Sequence, residues 1–387
     1  MDFGLSDEQR RFAAELDEWV DREVPKAWAR ELEAADSYPY ALFDKLAAAG
    51  YHGTSVPAEY GGAGGDNVTQ MLLARGLGRS LAGLTWCWGS TSFTGANSVG
   101  LYGSPEQKER FLPGIAKGEL RFTIGFTEPG GSTDLVGGMR TTARRGEGGW
   151  TVSGSKAWCC AARDSDYVLL LAITDPDAPK RHQGLSLFLL PTDSAGLSMA
   201  PVESLGQRSL GNWDLTLEDV FIPDDLVIGE PNRAWYMMLP TLNYERLMLL
   251  GLCCGILDGV LEDAIAYVGE RHTFGRPIGQ YQAVQHMVTE IAMARRQTEL
   301  VALHAAWLDL VGSEDTFLEL TMAKVIATDH ANRAADLGIQ IMGGAGYSAD
   351  TDMQRYWRDS RLYRMSPVTN EMARNLVAER LGLPRSF

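Results

Sequence analysis

One carboxylate, Glu245, lies where a charge is energetically costly. It interrupts an apolar segment from Leu239 to Leu261 whose Ala, Leu and Met content predicts a helix buried on nearly all sides. A buried carboxylate must be paired or protonated, or it is kept for chemistry. Its neighbour Arg246 is a poor partner, because adjacent helical residues point about 100° apart. The residues alone leave two interpretations open: a general base, or an ordinary glutamate that caps a turn or pairs with a basic residue elsewhere.

Three kinds of sequence pattern surround this segment. Up to residue 121 the pattern is helical and begins at Ser6, which can cap the first helix. From 122 to 229, seven short β-branched and apolar runs without intervening helices predict a β-barrel or sandwich. From 230 to 387, long helical segments with short connections predict an antiparallel four-helix bundle. The expected fold is a multidomain α+β protein with an N-terminal helical domain (1–121), a middle β domain and a C-terminal bundle.

Composition excludes several classes of protein. The 387 residues carry 35 Lys and Arg against 50 Asp and Glu, and this net charge of −15 opposes nonspecific attraction to nucleic acid or anionic membranes. The five cysteines show neither metal-ligand spacing nor a disulfide framework. The N-terminus lacks the features of a signal peptide, and the longest apolar run, Leu247 to Leu257, is about half the length of a membrane span. We therefore expect a cytoplasmic protein with no metal, no nucleic-acid partner and no membrane span.

Four strings of residues are the most recognisable motifs. In chain order they are Thr127-Glu128-Pro129-Gly130-Gly131-Ser132-Thr133-Asp134, Lys156-Ala157-Trp158, Arg271-His272-Thr273-Phe274-Gly275-Arg276-Pro277-Ile278 with Gln282, and Gln340-Ile341-Met342-Gly343-Gly344-Ala345-Gly346-Tyr347. Together with the order of the domains, they make the whole chain resemble the flavin-dependent acyl-CoA dehydrogenase family. The resemblance implies FAD bound between the β domain and the bundle. It also implies a homotetramer, because members of this family complete each flavin site with residues of a neighbouring subunit.

The resemblance further implies roles for individual residues. Thr127 would hydrogen-bond the pyrimidine side of the flavin, and Trp158 would pack against the ring. Cys160 replaces a Thr whose hydroxyl donates to flavin N5, and Thr133 keeps a hydroxyl for cofactor and substrate, although Ser132-Thr133 replaces the usual Gly-Ser. Thr369 is assigned to the cofactor as well. The residues assigned to the pyrophosphate and adenine end of a neighbouring subunit's FAD are Arg271, Thr273, Phe274, Gln282, Gln340, Gly343 and Gly344.

The usual catalytic base of the family is missing from its C-terminal position. Most members carry it in the string Tyr-Glu-Gly-Thr-x-Glu, but here residues 366–371 read Ser-Pro-Val-Thr-Asn-Glu, so Pro367 occupies its place. The isovaleryl- and long-chain acyl-CoA dehydrogenases instead carry the base on the first long bundle helix, in a string ending Glu-Arg. Tyr244-Glu245-Arg246 matches that string. The resemblance thus assigns Glu245 as the base and Asn243, Tyr244 and Arg246 as substrate contacts. Glu371 is expected to be a capping carboxylate that stabilises the N-terminal end of the last helix.

The implied reaction is the α,β-dehydrogenation of an acyl-CoA thioester. Glu245 would remove the α proton while the β hydrogen leaves as hydride to flavin N5, and the electrons would pass to an electron-transfer flavoprotein. Three alternatives stay open: an acyl chain bound to an acyl carrier protein, a flavin oxidase or monooxygenase, which Cys160 would suit, and an inert flavin-binding paralogue. Five bulky aromatic residues are candidates to fill the acyl pocket: Trp86, Trp88, Phe93, Trp235 and Tyr244. In that position they would favour a short, branched or cyclic acyl group, and the alternative is that they are ordinary core residues.

Overall fold

The computed structural model describes residues 4–35, 37–131 and 133–385. The N-terminal region is helical, as predicted, and Ser6 caps its first helix in a reciprocal capping box with Gln9. Its helices are α1 (Asp7–Glu23), α2 (Lys26–Ala34), α3 (Tyr40–Ala48), α4 (Asn67–Leu81), α5 (Trp86–Thr91), α6 (Ser98–Tyr102) and α7 (Pro105–Ala116). A π-helical segment, Ser92–Asn97, joins α5 to α6, whereas the sequence pattern predicts a single helix over about Thr91 to Gly100.

The middle region forms a single eight-stranded sheet. Its strands are β1 (Phe122–Gly125), β2 (Thr142–Gly146), β3 (Gly149–Cys160), β4 (Tyr167–Ile173), β5 (Leu185–Pro191), β6 (Leu197–Val202), β7 (Asn212–Pro223) and β8 (Val227–Ile228). The strand order is β6-β7-β3-β2-β4-β5-β8, and β1 pairs in parallel with β4. All seven predicted strands are present. The eighth strand, β8, was not predicted, because it is too short to show the alternation of apolar and polar residues that marks a strand.

The C-terminal region is again helical. It contains α8 (Ala234–Glu270), the short hairpin of β9 (His272–Thr273) and β10 (Arg276–Pro277), and then α9 (Gln282–Leu310), α10 (Thr316–Met342), α11 (Gly344–Tyr347), α12 (Met353–Tyr363) and α13 (Asn370–Arg380). The prediction missed α12. In the part of the chain covered by the structure, no helix combines the length and apolarity needed to cross a membrane.

Helix α8 holds Glu245 between the two helical regions. It is 37 residues long and packs on α4 on one side and on α9 and α10 on others. Gly251 and Gly255 allow the close contact with α4, because a Cβ there would lie 2.0 Å from the Met71 carbonyl oxygen and 2.1 Å from that of Arg75. The glycines therefore fix how deeply α8 is buried, and with it the environment of Glu245.

Candidate active site

Glu245 is a buried carboxylate without a close partner. It is 9% exposed, and none of the hydrogen bonds or ion pairs found in residues 4–35, 37–131 and 133–385 involves its carboxylate. Burial raises its pKa from 4.5 to about 7, against the opposing effect of the positive charges of Arg246 and Lys324. A carboxyl group with a pKa near neutrality can both accept and release a proton, which is the property required of a general base.

Arg246 does not pair with Glu245, in agreement with helical geometry. Its Nη1 donates to Asn243 Oδ1 at 3.3 Å, and its guanidinium lies 4.9 Å from the centroid of the Phe317 ring. The side chain is buried, and desolvation lowers its pKa. Arg246 therefore acts on Glu245 as a nearby charge and leaves the carboxylate available.

Tyr244 points towards the N-terminal helices and joins a buried polar chain. Its hydroxyl lies 2.6 Å from Ser92 Oγ and donates to Gln70 Oε1 at 3.4 Å, and Ser92 Oγ in turn lies 3.3 Å from Ser55 Oγ. Ser92 is the first residue of the π-helical segment. Tyr244 thus connects α8 with α4 and with the π-helical segment next to the proposed base.

Sequence reasoning missed Lys324, a buried lysine on α10. Its Nζ donates to the Val368 carbonyl oxygen at 2.6 Å and to Asn370 Oδ1 at 2.7 Å, and burial lowers its pKa to about 8. Lys324 therefore holds the segment that contains Pro367, and its charge also acts on Glu245. The signal in the sequence was a lysine inside the apolar face of a helix, the same feature that revealed Glu245.

The C-terminal segment offers no competing buried base. Pro367 has no titratable side chain, and Glu371 is exposed in the first turn of α13. The N-cap of that helix is Thr369, whose Oγ1 accepts a hydrogen bond from the Met372 N–H at 3.1 Å. Of the two carboxylates weighed from the sequence, only Glu245 is buried.

The β domain brings Thr127 and Trp158 together. The carbonyl oxygen of Thr127 accepts a hydrogen bond from the Ala157 N–H at 2.8 Å, which places Thr127 beside Trp158. The register of β3 against β7 shifts between Lys156 and Cys159, and Trp158 adopts a positive φ of 60° there. Its side chain is 56% exposed. Strained backbone and an exposed indole are features of a ligand-binding edge.

A buried ion pair supports this edge from behind. Lys156 Nζ lies 2.8 Å from Glu128 Oε1, and the Glu128 carboxylate also accepts hydrogen bonds from the N–H groups of Arg140 and Thr141. Burial opposes ionisation of Glu128, but Lys156 and these donors outweigh it and lower its pKa. Glu128 and Lys156 belong to the recognisable strings, yet their side chains are turned inwards and fix the loop that carries Thr127.

Cys160 and Thr133 occupy different environments. Cys160 is partly buried against the core of the N-terminal region, and desolvation raises the pKa of its thiol to about 12, so the thiol is neutral. Thr133 is exposed on the loop after Gly131, and Ser132 lies outside the described residues. The structure thus leaves Thr133 exposed and Cys160 partly exposed.

The remaining residues assigned to FAD lie on the surface of the chain. We call this set the exposed flavin group; its members are Arg271, Thr273, Phe274, Gln282, Gln340, Gly343 and Gly344. Phe274 is 92% exposed, an unusual state for a large apolar side chain. Within the ranges covered by the structure, no hydrogen bond or ion pair connects this group with Thr127 or Trp158. Within the described residues, the exposed flavin group is therefore not tied to Thr127 or Trp158 by any polar contact.

A helical N-terminal region, a middle β domain and a C-terminal region of long helices, in this order, form the architecture of a flavoenzyme of the acyl-CoA dehydrogenase type. The models of the N-terminal, middle and C-terminal domains of acyl-CoA dehydrogenase match residues 6–119, 123–220 and 232–382. The chain belongs to the acyl-CoA dehydrogenase family, whose members are FAD-dependent oxidoreductases.

Individual relatives agree over nearly the full length. A probable acyl-CoA dehydrogenase of Bacillus subtilis, YngJ, is 30% identical over 382 residues, which are 98% of this chain and 100% of that protein. Among solved structures, butyryl-CoA dehydrogenase from Megasphaera elsdenii superposes with a TM-score of 0.92 at 26% identity and covers 98% of this chain and 100% of its own. The FAD complex of PigA gives a TM-score of 0.92 at 25% identity, with 99% and 100% coverage.

Proposed function

We propose that this protein catalyses the α,β-dehydrogenation of an acyl-CoA thioester with Glu245 as the base. The observation that carries the proposal is the burial of Glu245 without a close partner, which raises its pKa to about 7. At neutral pH a large fraction of such a carboxyl is ionised, and it is basic enough to remove a proton acidified by the adjacent thioester carbonyl.

Other residues of this chain would orient the reaction. Thr127 and Trp158 would hold the flavin ring against the β domain, and bound FAD supplies the acceptor for the hydride that leaves the β carbon. Asn243 and Arg246 would contact the thioester and pantetheine portions of the substrate. Thr133 would contact both cofactor and substrate, and Tyr244 would fix α8 next to the acyl group through Ser92 and Gln70.

The exposed flavin group would complete the FAD site of a neighbouring copy of the chain. Arg271 provides a charged, forked donor suited to pyrophosphate, and Phe274 provides apolar area that a second surface would cover. We infer a homotetramer on this basis, with an electron-transfer flavoprotein as the electron acceptor.

The decisive experiment is an anaerobic titration of the FAD-loaded protein with a panel of acyl-CoA thioesters, monitored by flavin absorbance. We expect at least one thioester to bleach the flavin, Glu245→Gln to abolish the bleaching, and Glu371→Gln to leave it unchanged. Equal bleaching in Glu245→Gln would refute the assignment of the base. Rapid reoxidation by oxygen in the absence of another acceptor would indicate an oxidase, and no bleaching by any thioester would refute the proposed reaction.

A further inference from the structure

A small cavity lies where α4, α5 and α8 meet. It has a volume of about 10 Å³, and Met248 and Leu252 form its α8 wall. These residues follow Glu245 by three and seven positions, so the three side chains lie on one face of the helix. The α8 wall of the cavity therefore lies on the Glu245 side of the helix, within a rise of about 10 Å.

Two tryptophans of α5 close the cavity on the opposite side. The indole of Trp86 lies against Gly89, because a Cβ on Gly89 would come within 2.9 Å of Trp86 Cε3. Trp88 is buried, and its indole N–H donates to the Tyr51 carbonyl oxygen at 3.0 Å. The space that these rings leave is sufficient for about one water-sized or methyl-sized group.

The other three aromatic candidates for the acyl pocket do not line this cavity. Trp235 is 6.0 Å from the ring of His182, whereas Phe93 and Tyr244 pack in the same buried apolar cluster as Trp88 and Met248. Trp86 and Trp88 are the aromatic residues that line the cavity itself.

One polar group faces this otherwise apolar space. Thr85 lines the cavity and is 3% exposed, and its Oγ1 has no hydrogen-bond partner among the residues described by the structure. Leaving a buried hydroxyl unpaired is unfavourable, so its position in a cavity wall is suited to a ligand atom that can form a hydrogen bond.

We propose that this cavity is the distal end of the acyl pocket and that it selects a short acyl group with a polar atom at its far end. This inference rests on the proposed dehydrogenation with Glu245 as the base. Trp86 sets the length of the acyl group, since its ring occupies the space into which a longer chain would extend. Thr85 provides the hydrogen-bonding group that recognises the distal atom.

The length of the acyl group is tested by the rate of anaerobic flavin reduction with butyryl-, hexanoyl-, octanoyl- and lauroyl-CoA. We expect the rate to fall by at least about tenfold from butyryl- to octanoyl-CoA, because additional methylenes would have no space. Trp86→Ala should recover most of this loss, and the milder Trp86→Phe part of it. Trp28→Ala, which removes a half-buried indole from α2, is the matched control and should leave the length preference unchanged.

Binding provides a second measurement that does not require turnover. In the Glu245→Gln background, butyryl-CoA should bind more tightly than octanoyl-CoA, and adding Trp86→Ala should remove the difference. Equal reduction by lauroyl- and butyryl-CoA in the wild type would overturn the pocket while leaving the base intact. If no thioester reduced the flavin, the proposed function itself would be wrong.

The polar end is tested with two acyl groups of equal heavy-atom number, γ-hydroxybutyryl and pentanoyl. The wild type should reduce its flavin about threefold to tenfold faster with the γ-hydroxybutyryl thioester, the effect of one hydrogen bond. Thr85→Val, which keeps the shape of the side chain and removes the hydroxyl, should abolish or reverse the preference. A wild type that shows no preference, or a preference unaffected by Thr85→Val, would overturn the role of Thr85.

Discussion

The Glu245 face of α8 and the exposed flavin group are both recognisable in the sequence, but within a single chain only the first is buried. Glu245 is 9% exposed and its environment is built from α4, α8 and α10, whereas Phe274 is 92% exposed on the hairpin after α8. The comparison teaches that burial within one chain is enough to raise the pKa of the Glu245 carboxyl. We propose that the exposed flavin group, in contrast, contacts FAD only when another copy of the chain covers it.

The largest expected effect is the decrease in the free energy of unfolding that the buried Glu245 carboxylate causes. Burial raises its pKa from 4.5 to about 7, so the unfolded chain loses this proton at lower pH than the folded protein. Stability should therefore fall as pH rises from 4.5 to 7, by about 3 kcal/mol, and then level off. Glu245→Gln should unfold at higher denaturant concentration than wild type at pH 8 but not at pH 4, as measured by urea titration.

The exposed Glu371 is the control for this effect. Glu371→Gln removes a carboxylate from the first turn of α13, where no burial penalty applies, and should give no gain at pH 8. If the Glu245→Gln protein is no more stable than the wild type at pH 8, then burial of the Glu245 carboxylate does not destabilise the fold.

Shortening the base should separate its position from its chemistry. Glu245→Asp keeps a carboxylate but withdraws it by about one methylene, and a displacement of this size costs about a hundredfold in rate. The measurement is stopped-flow flavin reduction by the preferred thioester, with FAD content determined from the absorbance spectrum. FAD content should remain at the wild-type level, because Glu245 lies outside the exposed flavin group. A rate within a few-fold of wild type would contradict the proposed role of Glu245.

Truncation within the exposed flavin group should have the opposite signature. If a second copy covers Phe274, then Phe274→Ala should weaken FAD binding by about tenfold to a hundredfold through lost apolar burial, and should also favour smaller assemblies. FAD titration and analytical ultracentrifugation measure the two effects. Phe221→Ala removes a half-exposed phenyl from β7 and serves as the control. Unchanged FAD affinity in Phe274→Ala would indicate that this surface is not part of the flavin site.

The smallest effect should come from Lys324. Its positive charge lowers the pKa of Glu245, so replacing it with Met should raise that pKa further above 7. Because the base acts in its ionised form, the pH dependence of flavin reduction should shift to higher pH, with slower reduction at pH 7 and little change at pH 9. Lys324→Arg keeps the charge and should retain the wild-type profile. Loss of activity without a shift in the profile would limit Lys324 to holding Val368 and Asn370.

The positions of secondary structure were predictable where local patterns are strong. The sequence pattern predicts a cap at Ser6, a helix over about Asn67 to Leu81 and a hairpin turn at 146–149, and the structure has all three. Capping, helical periodicity and turn glycines are local signals. The π-helical segment after Thr91 was not predicted, because its geometry depends on packing with α8. The α12 helix was also missed, since its residues are buried by neighbours distant in sequence.

The sequence by itself determined the family, the order of the three domains and the candidate base, because these depend on residue types in a fixed order. Only the tertiary structure decided that Arg246 turns to Phe317 and away from Glu245, that Lys324 approaches the base from α10, and that Trp86 and Trp88 close the cavity beside Met248. These contacts join residues far apart in the chain. Burial and charge at each of these positions are therefore set by the packing of several elements together.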